Sequence, residues 1–262
     1  MFRLAAAGQL LLALGVGGLG VLSLIYTDFA LQWQPVPYGV PARSALAVLS
    51  GILLIACALG LLVRPLAATA AAILTGYLAL WVLLLHGPRF LAHPALPGVW
   101  LDLSETLTLM VGGWILVCIR GGVRQGYFGR LATARGVINA RELFALSLLV
   151  FGLAHFIYVD SAAGMIPVWI PARVPLAYIT GALHVAAGAA LLTGVLPQLA
   201  AALEALMMSA AVLLVHLPAV VGASHSREQW TSLCVATALS GSALLVASTL
   251  APESPSRRRS DG

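Results

Sequence analysis

Eight long stretches of the chain are apolar and free of charge, and the polar residues gather in the short segments between them. A helix of about 20 apolar residues spans the hydrocarbon core of a bilayer, whereas a charge at that depth is costly. The pattern predicts eight transmembrane helices, at roughly residues 4–26, 44–63, 66–86, 100–119, 143–159, 174–194, 197–217 and 230–250. Gly194 and Pro197 separate the sixth from the seventh.

Polar positions also repeat along the chain. The segment GVLSLIYTD, which begins at Gly20, is matched 132 positions later by GLAHFIYVD, and LLLHGP, which begins at Leu83, is matched 130 positions later by LLVHLP. Matched Tyr, Asp and His residues are rarer by chance than matched apolar ones in such a sequence. The chain is therefore predicted to be a duplicated four-span unit. Because four is an even number, the two copies should be parallel and related by an axis along the membrane normal.

The repeat sets the predicted domain boundaries. Residues 1–119 form the first four-span unit, and residues 142–251 form the second. Between them, the Gly- and Arg-rich residues 120–141 are predicted to be a linker, and residues 252–262 form a polar tail.

Arginine supplies all fourteen basic residues, and its distribution predicts the orientation. Ten arginines fall on the side that carries both termini and the linker, and only Arg43, Arg89, Arg173 and Arg227 fall on the other. The positive-inside rule places the arginine-rich side in the cytoplasm. We therefore expect a multi-pass protein of the bacterial plasma (inner) membrane with both termini cytoplasmic. The net charge of +5 is then an orientation signal and needs no nucleic-acid partner.

The composition agrees with a membrane protein whose first partner is the lipid bilayer. Hydrophobic residues make up 61% of the chain and charged residues 9%, against about 45–50% and 25% in soluble domains. The cysteines are widely spaced, at Cys57, Cys118 and Cys234, and predict neither a disulfide framework nor a dithiol redox centre. Haem-binding, phosphate-loop and nucleophile motifs are missing from the sequence, so its catalytic residues are unknown.

The second unit resembles the bacterial DoxX-like membrane proteins over about residues 141–250. The resemblance rests on GLAHF (Gly152–Phe156), the proline-rich segment GMIPVWIPAR (Gly164–Arg173), TGALH (Thr180–His184) and VHLP (Val215–Pro218). The first unit resembles the same family more loosely. The resemblance implies a four-helix membrane unit that serves as an accessory subunit of an oxidoreductase. It also implies contact with quinone and with partner subunits of that oxidoreductase.

Seven ionisable residues are candidates for ligand binding or proton relay, because such side chains inside a membrane must face protein or a polar cavity. His184 lies about eleven residues into its span, ~16 Å from the outer start at 1.5 Å per residue. Glu204 is also expected to lie deep, and His155 about one turn below Asp160. The full set is His184, His155, His216, His86, Asp160, Glu105 and Glu204.

The two repeated histidines have a structural and a functional interpretation. Structurally, His86 and His216 are interfacial side chains that find hydrogen bonds just before a proline ends the helix. Functionally, the symmetry axis brings them together near His155, Glu105 or Asp102, where they bind a divalent metal or relay protons. Because no ligand-spaced pair such as H-x-x-x-H exists, no metal site is assigned.

Charged and aromatic residues at the outer span ends have similar alternatives. Asp28 with Arg43, and Asp160 with Arg173, are either simple interfacial pairs or pairs that hold the proline-rich loops over a cavity. Tryptophan and tyrosine at this level are expected to form an interfacial belt. Its members are Trp33, Trp100, Trp169, Trp230, Tyr26 and Tyr158.

The two units differ in histidine content. Ser23 stands opposite His155, and Leu54 stands opposite His184, so we expect the second unit to hold the polar site. Three functions remain open: a quinone-contacting oxidoreductase subunit, a transporter or channel for a small solute, and a structural or assembly protein without catalysis.

The predicted orientation can be tested by thiol labelling. In a cysteine-free background, Arg130→Cys should not react with a membrane-impermeant reagent added outside intact cells, because the linker is expected on the cytoplasmic side. Reaction at this position in intact cells would reverse the orientation.

Overall fold

The structure, a computed structural model, describes residues 2–120 and 132–250. This part of the chain consists of helices and turns without a β-strand, which confirms the all-α class. Half of the predicted linker, residues 121–131, and the whole tail lie outside the described residues. The same is true of Arg124, Arg130, Arg257, Arg258 and Arg259.

Eight helices of the described residues are long and apolar enough to cross a membrane, as predicted. Six of them are α1 (Phe2–Tyr26), α2 (Arg43–Leu62), α5 (Pro97–Arg120), α6 (Ala134–Ile157), α8 (Arg173–Thr193) and α11 (Arg227–Leu250). The other two are composite. One joins α3 (Ala67–Trp81), a π-helical turn (Val82–His86) and α4 (Gly87–Ala92), and the other joins α9 (Pro197–Ala211), a π-helical turn (Val212–His216) and α10 (Leu217–Gly222). A short 3₁₀ turn (Leu31–Trp33) follows α1, and α7 (Val159–Met165) follows α6.

The fifth long helix, α6, begins well before the predicted residue 143. Thr133 caps it, and the Gly136 N–H donates to Thr133 Oγ1 at 3.0 Å. The prediction relied on a charge-free run, and charged residues near the start of α6 interrupt that run. The helix continues through them because Arg141 finds a partner, donating from Nε to Thr249 Oγ1 of α11 at 2.8 Å.

The eight spans form one bundle with a shared core. Helix α1 packs against α2 and more extensively against α11, and α6 packs against α8 and α5. Contacts between α1 and α5, and between α6 and α11, are slight. The core cluster contains residues of both halves, from Leu12 to Ala247. The first helix of each half therefore packs on the second helix of its own half and on the last helix of the other half.

Glycine pairs bring the first two spans of each half close together. A Cβ added to Gly20 would lie 2.7 Å from Gly51 O, and a Cβ added to Gly152 would lie 2.6 Å from Gly181 O. Small residues permit such close crossings of membrane helices. The two crossings lie at matched positions of the predicted repeat and fix α1 on α2 and α6 on α8.

The two Pro-Ala-Arg segments start α2 and α8 with the same backbone conformation. Ala42 has φ 53° and Ala172 has φ 56°, in the left-handed region that residues other than glycine seldom adopt. Each alanine immediately precedes the first helical residue, which is Arg43 in α2 and Arg173 in α8. The matched segments therefore place their two arginines alike at the start of a helix.

Gly152→Ala is expected to destabilise the protein by about 1–3 kcal/mol, because the added methyl group forces the two backbones apart. The melting temperature of the purified protein in detergent measures this effect. Gly76→Ala is the matched control, since nothing lies within 4 Å of a Cβ at Gly76 in α3. Equal melting temperatures for the two variants would contradict the close crossing of α6 and α8.

Candidate functional site

His184 and Glu204 form a buried pair between α8 and α9. His184 lies in the middle of α8, and Glu204 lies two turns into α9. Their side chains are 8% and 0% exposed, and His184 Nδ1 lies 2.8 Å from Glu204 Oε1. The sequence predicts two separate deep residues, and the structure places them in contact.

The Glu204 carboxylate has hydrogen-bonding capacity that the protein does not use. Its contact with His184 has the distance of an ion pair but not the alignment of a hydrogen bond, and Oε2 has no partner among the described residues. An unsatisfied buried acceptor costs about 1–3 kcal/mol, and more when it is charged. The contacts of this pair are therefore not those that would best stabilise the fold, and Oε2 keeps an acceptor capacity that no described residue uses.

His155 lies beside this pair and approaches it from α6. Its ring centroid lies 5.2 Å from that of His184, and its Nδ1 lies 2.8 Å from Phe151 O. Because a carbonyl only accepts, Nδ1 carries the proton, and the neutral ring presents Nε2 as an acceptor. His155 is half-buried. We call His155, His184 and Glu204 the His–Glu cluster.

The matched positions of the first half are apolar or internally bonded. They are Ser23, Leu54 and Leu74, with exposures of 1%, 0% and 0%. The Ser23 hydroxyl donates to Leu19 O of its own helix at 3.0 Å. In the first half, these three side chains thus occupy by ordinary packing the space that three ionisable side chains occupy in the second half.

Both repeated histidines end a π-helical turn, Val82–His86 or Val212–His216. The N–H after each turn bonds five residues back, from Gly87 to Val82 O and from Leu217 to Val212 O. A proline follows at the next position of each segment, and its ring cannot follow a regular α-helix without a clash. The extra residue of the π turn accommodates the proline and turns the histidine relative to the helix before it.

His86 has the structural role that the sequence offered as an alternative. It is 0% exposed, and its Nε2 lies 3.0 Å from both Trp33 O and Thr106 Oγ1. The turn that ends in His86 contacts α3, α4 and α5, whereas the turn that ends in His216 contacts α9, α10 and α11. The two histidines therefore lie in different helix environments, which gives no support to the functional interpretation that brings them together.

The loop held by His86 closes the end of the first half that lies away from the start of α1. Trp33 and Gln34 are only 6% and 2% exposed. Trp33 Nε1 donates to Glu105, and Gln34 Nε2 donates to Ser50 Oγ at 2.9 Å and to Tyr77 OH at 3.2 Å. Trp33 is thus a buried loop residue and not the interfacial anchor that we expected, and the candidate Glu105 holds it in place.

His216 lies beside an open cavity at the corresponding end of the second half. The cavity has a volume of about 810 Å³ and lies between residues 164–169 and 215–222, with Gln229 of α11 at its wall. His216 is half-buried and makes no hydrogen bond with any described residue. The same histidine–proline segment thus closes one half and borders a cavity in the other.

Asp28 joins the two halves at this same end of the bundle. It binds Arg43 through Oδ1, and its Oδ2 accepts from Arg227 Nη1 at 3.2 Å. Burial raises the pKa of Asp28, but hydrogen bonds from the Phe29 N–H and both guanidinium groups outweigh burial and hold the pKa below its ordinary value. Asp28 is therefore charged at neutral pH and ties the first loop to α11.

The second half lacks the corresponding pair. Asp160 and Arg173 are exposed, and neither forms an ion pair within the part of the chain that the structure describes. Asp160 instead lies in the first turn of α7, where a carboxylate interacts favourably with the helix dipole. On the first half, Arg89 lies 3.4 Å from Asp102, so this acid also has a structural partner.

The described residues contain no group of three His, Cys, Asp or Glu side chains that could hold a metal ion. The metal-binding interpretation of the histidines therefore has no supporting geometry. Cys57, Cys118 and Cys234, all within the described ranges, form no disulfide.

No protein-family model, curated protein or solved structure matches the chain. The resemblance of residues 141–250 to DoxX-like proteins stays a prediction from the motifs. The features of the structure that bear on function are the His–Glu cluster and the cavity.

The role of the buried pair can be tested with the leucines that fill the matched positions of the first half. His184→Leu combined with Glu204→Leu should leave thermal stability unchanged or raise it, since apolar replacement of a buried ion pair is often neutral or stabilising by about 1–4 kcal/mol. Each single substitution should cost about 3–5 kcal/mol, because it leaves the partner buried alone. Melting of the three purified variants in detergent measures the difference. A double variant as unstable as the single ones would show that the pair serves to hold α8 on α9.

Proposed function

We propose that the chain is a DoxX-like accessory membrane subunit of an oxidoreductase in the bacterial plasma membrane, and that it contacts a quinone at the His–Glu cluster. The observation that supports this proposal is the buried His184–Glu204 pair, which has an unpartnered carboxylate oxygen and His155 beside it. Ionisable side chains within membrane spans most often mark ligand or proton pathways.

Stability does not account for the cluster. The first half fills the matched space with Leu54 and Leu74, both fully buried. An apolar filling of this kind avoids the desolvation of two ionisable groups. A function for the His–Glu cluster explains why the second half carries these groups at the same place.

The donor and acceptor groups of the cluster suit a quinone headgroup. Its carbonyl oxygens accept hydrogen bonds, and the hydroxyl groups of its reduced form donate them. A ring N–H of His184 can donate to a carbonyl, and the neutral His155 ring offers Nε2 as an acceptor for a hydroxyl. The span that contains α9 is the most exposed of the eight, so a molecule dissolved in the bilayer can approach the seam between α8 and α9.

A second function, a carrier or channel for a small solute, is supported by the open cavity. Its volume of about 810 Å³ falls within the range of about 300–1,000 Å³ typical of small-molecule sites. His216 and Gln229 provide polar groups at its wall. In this alternative the cavity is the outer entrance, and the His–Glu cluster is the deeper polar site.

Calorimetric titration of the purified protein in detergent with a short-chain benzoquinone and a short-chain naphthoquinone tests the first function. We expect saturable binding of at least one of them. Glu204→Gln should weaken binding about tenfold or more, because a hydrogen bond to a charged group contributes about 1.5–3 kcal/mol. His184→Ala and His155→Ala should weaken binding more than His86→Ala at equal amounts of folded protein.

Glu142→Gln is the matched control, because Glu142 is exposed near the start of α6. This variant removes one carboxylate without touching the cluster and should bind quinone as the unmodified protein does. Absence of saturable binding of both quinones would rule out the first function. Solute uptake by proteoliposomes that is lost in His216→Ala would then support the carrier.

A further inference from the structure

A separate groove lies at the opposite end of the molecule from the Asp28 loop. It has a volume of about 420 Å³ and lies between the start of α1 and the ends of α2 and α5. Arg64 and Arg120 provide its charged edge, and Leu10, Leu62 and Ile119 contribute to its apolar wall. The groove therefore combines two guanidinium groups with a surface that suits a hydrocarbon chain.

A neutral side chain positions one of the two arginines. Arg120 donates to Gln9 Oε1 from both Nε, at 3.1 Å, and Nη2, and the Gln9 amide in turn donates to Leu61 O. This chain of hydrogen bonds orients the Arg120 guanidinium without neutralising its charge. Arg64 is exposed, and neither arginine forms an ion pair with a described carboxylate. Within the part of the chain that the structure describes, no carboxylate compensates these two positive charges.

The groove lies where the headgroups of phospholipids meet the protein. Its arginines belong to span ends, Arg64 just after α2 and Arg120 at the end of α5, on the side that carries most of the arginines. Guanidinium groups bind phosphate oxygens in a bidentate manner, and basic pockets between membrane helices bind anionic headgroups. The matched positions of the second half are Gly194 and Leu250, so the pair of arginines occurs in one half alone.

We propose that this groove binds one anionic phospholipid, with Arg64 and Arg120 as ligands of its phosphate and the apolar wall along its acyl chain. The zwitterionic headgroup of phosphatidylcholine carries a cation that the two arginines repel, so selectivity for anionic lipid follows from charge. The site is independent of the quinone proposal, because the groove is lined by residues of α1, α2, α5 and α11 with Arg64, whereas the His–Glu cluster lies on α6, α8 and α9.

Thermal unfolding of the full-length protein in detergent, with increasing phosphatidylglycerol, tests this site. The melting temperature should rise saturably with phosphatidylglycerol, and neither phosphatidylcholine with the same acyl chains nor glycerol 3-phosphate should raise it. Arg64→Gln should weaken the apparent affinity for phosphatidylglycerol about fivefold, and Arg64→Lys should weaken it less. Arg64 forms no hydrogen bond or ion pair with a described residue, so Arg64→Gln should fold. It therefore tests the lipid site even if Arg120→Gln fails to fold.

Arg173→Gln is the matched control, because it removes one exposed arginine at the opposite membrane surface. It should leave the response to phosphatidylglycerol unchanged. Equal stabilisation by the anionic and zwitterionic lipids, or an unchanged response of Arg64→Gln, would overturn the proposal. Full stabilisation by glycerol 3-phosphate alone would also overturn it, since the groove would then be a site for a soluble phosphate.

Discussion

The close packing of α1 against α11 is the constraint on which the rest of the bundle depends. A Cβ on Gly8 would lie 2.7 Å from Gly241 O, and a Cβ on Gly241 would lie 2.4 Å from the Leu12 nitrogen. No larger residue fits there unless the two helices separate. Because α11 belongs to the second half, this contact makes the folding of each half depend on the other. It also places Arg227, at the start of α11, within reach of Asp28.

The two halves differ in structure at the end of the bundle that carries the Asp28 loop. In the first half, the loop that carries Trp33 and Gln34 is buried and held by His86 and Glu105. In the second half, the corresponding segment forms α7 and leaves a cavity beside His216. The half with the closed end has an apolar interior at Leu54 and Leu74, and the half with the cavity has the His–Glu cluster. The polar side chains and the opening thus occur in the same half.

The sequence alone identified the spans and the depth of His184 and Glu204, because hydropathy and charge act locally along a helix. It misplaced the start of α6, since the charges of Arg135, Arg141 and Glu142 are tolerated where the helix extends past the hydrocarbon or finds a partner such as Thr249. It also misjudged Trp33, because an aromatic residue at a span end has the same local pattern whether it anchors in the interface or turns inward. Inward rotation is favoured here by Glu105, 72 residues away.

What the sequence determined by itself is the all-helical class, the eight spans, the matched histidine–proline segments and the shortlist of ionisable residues. Only the tertiary structure decided which of those residues meet. His184 and Glu204 lie on different helices, and their contact depends on how α8 and α9 are rotated and spaced, which the packing of the bundle sets. His86 and His216 have nearly identical sequence surroundings, yet one is buried under Trp33 and the other borders a cavity. That difference arises from loop residues distant along the chain, which a local pattern cannot report.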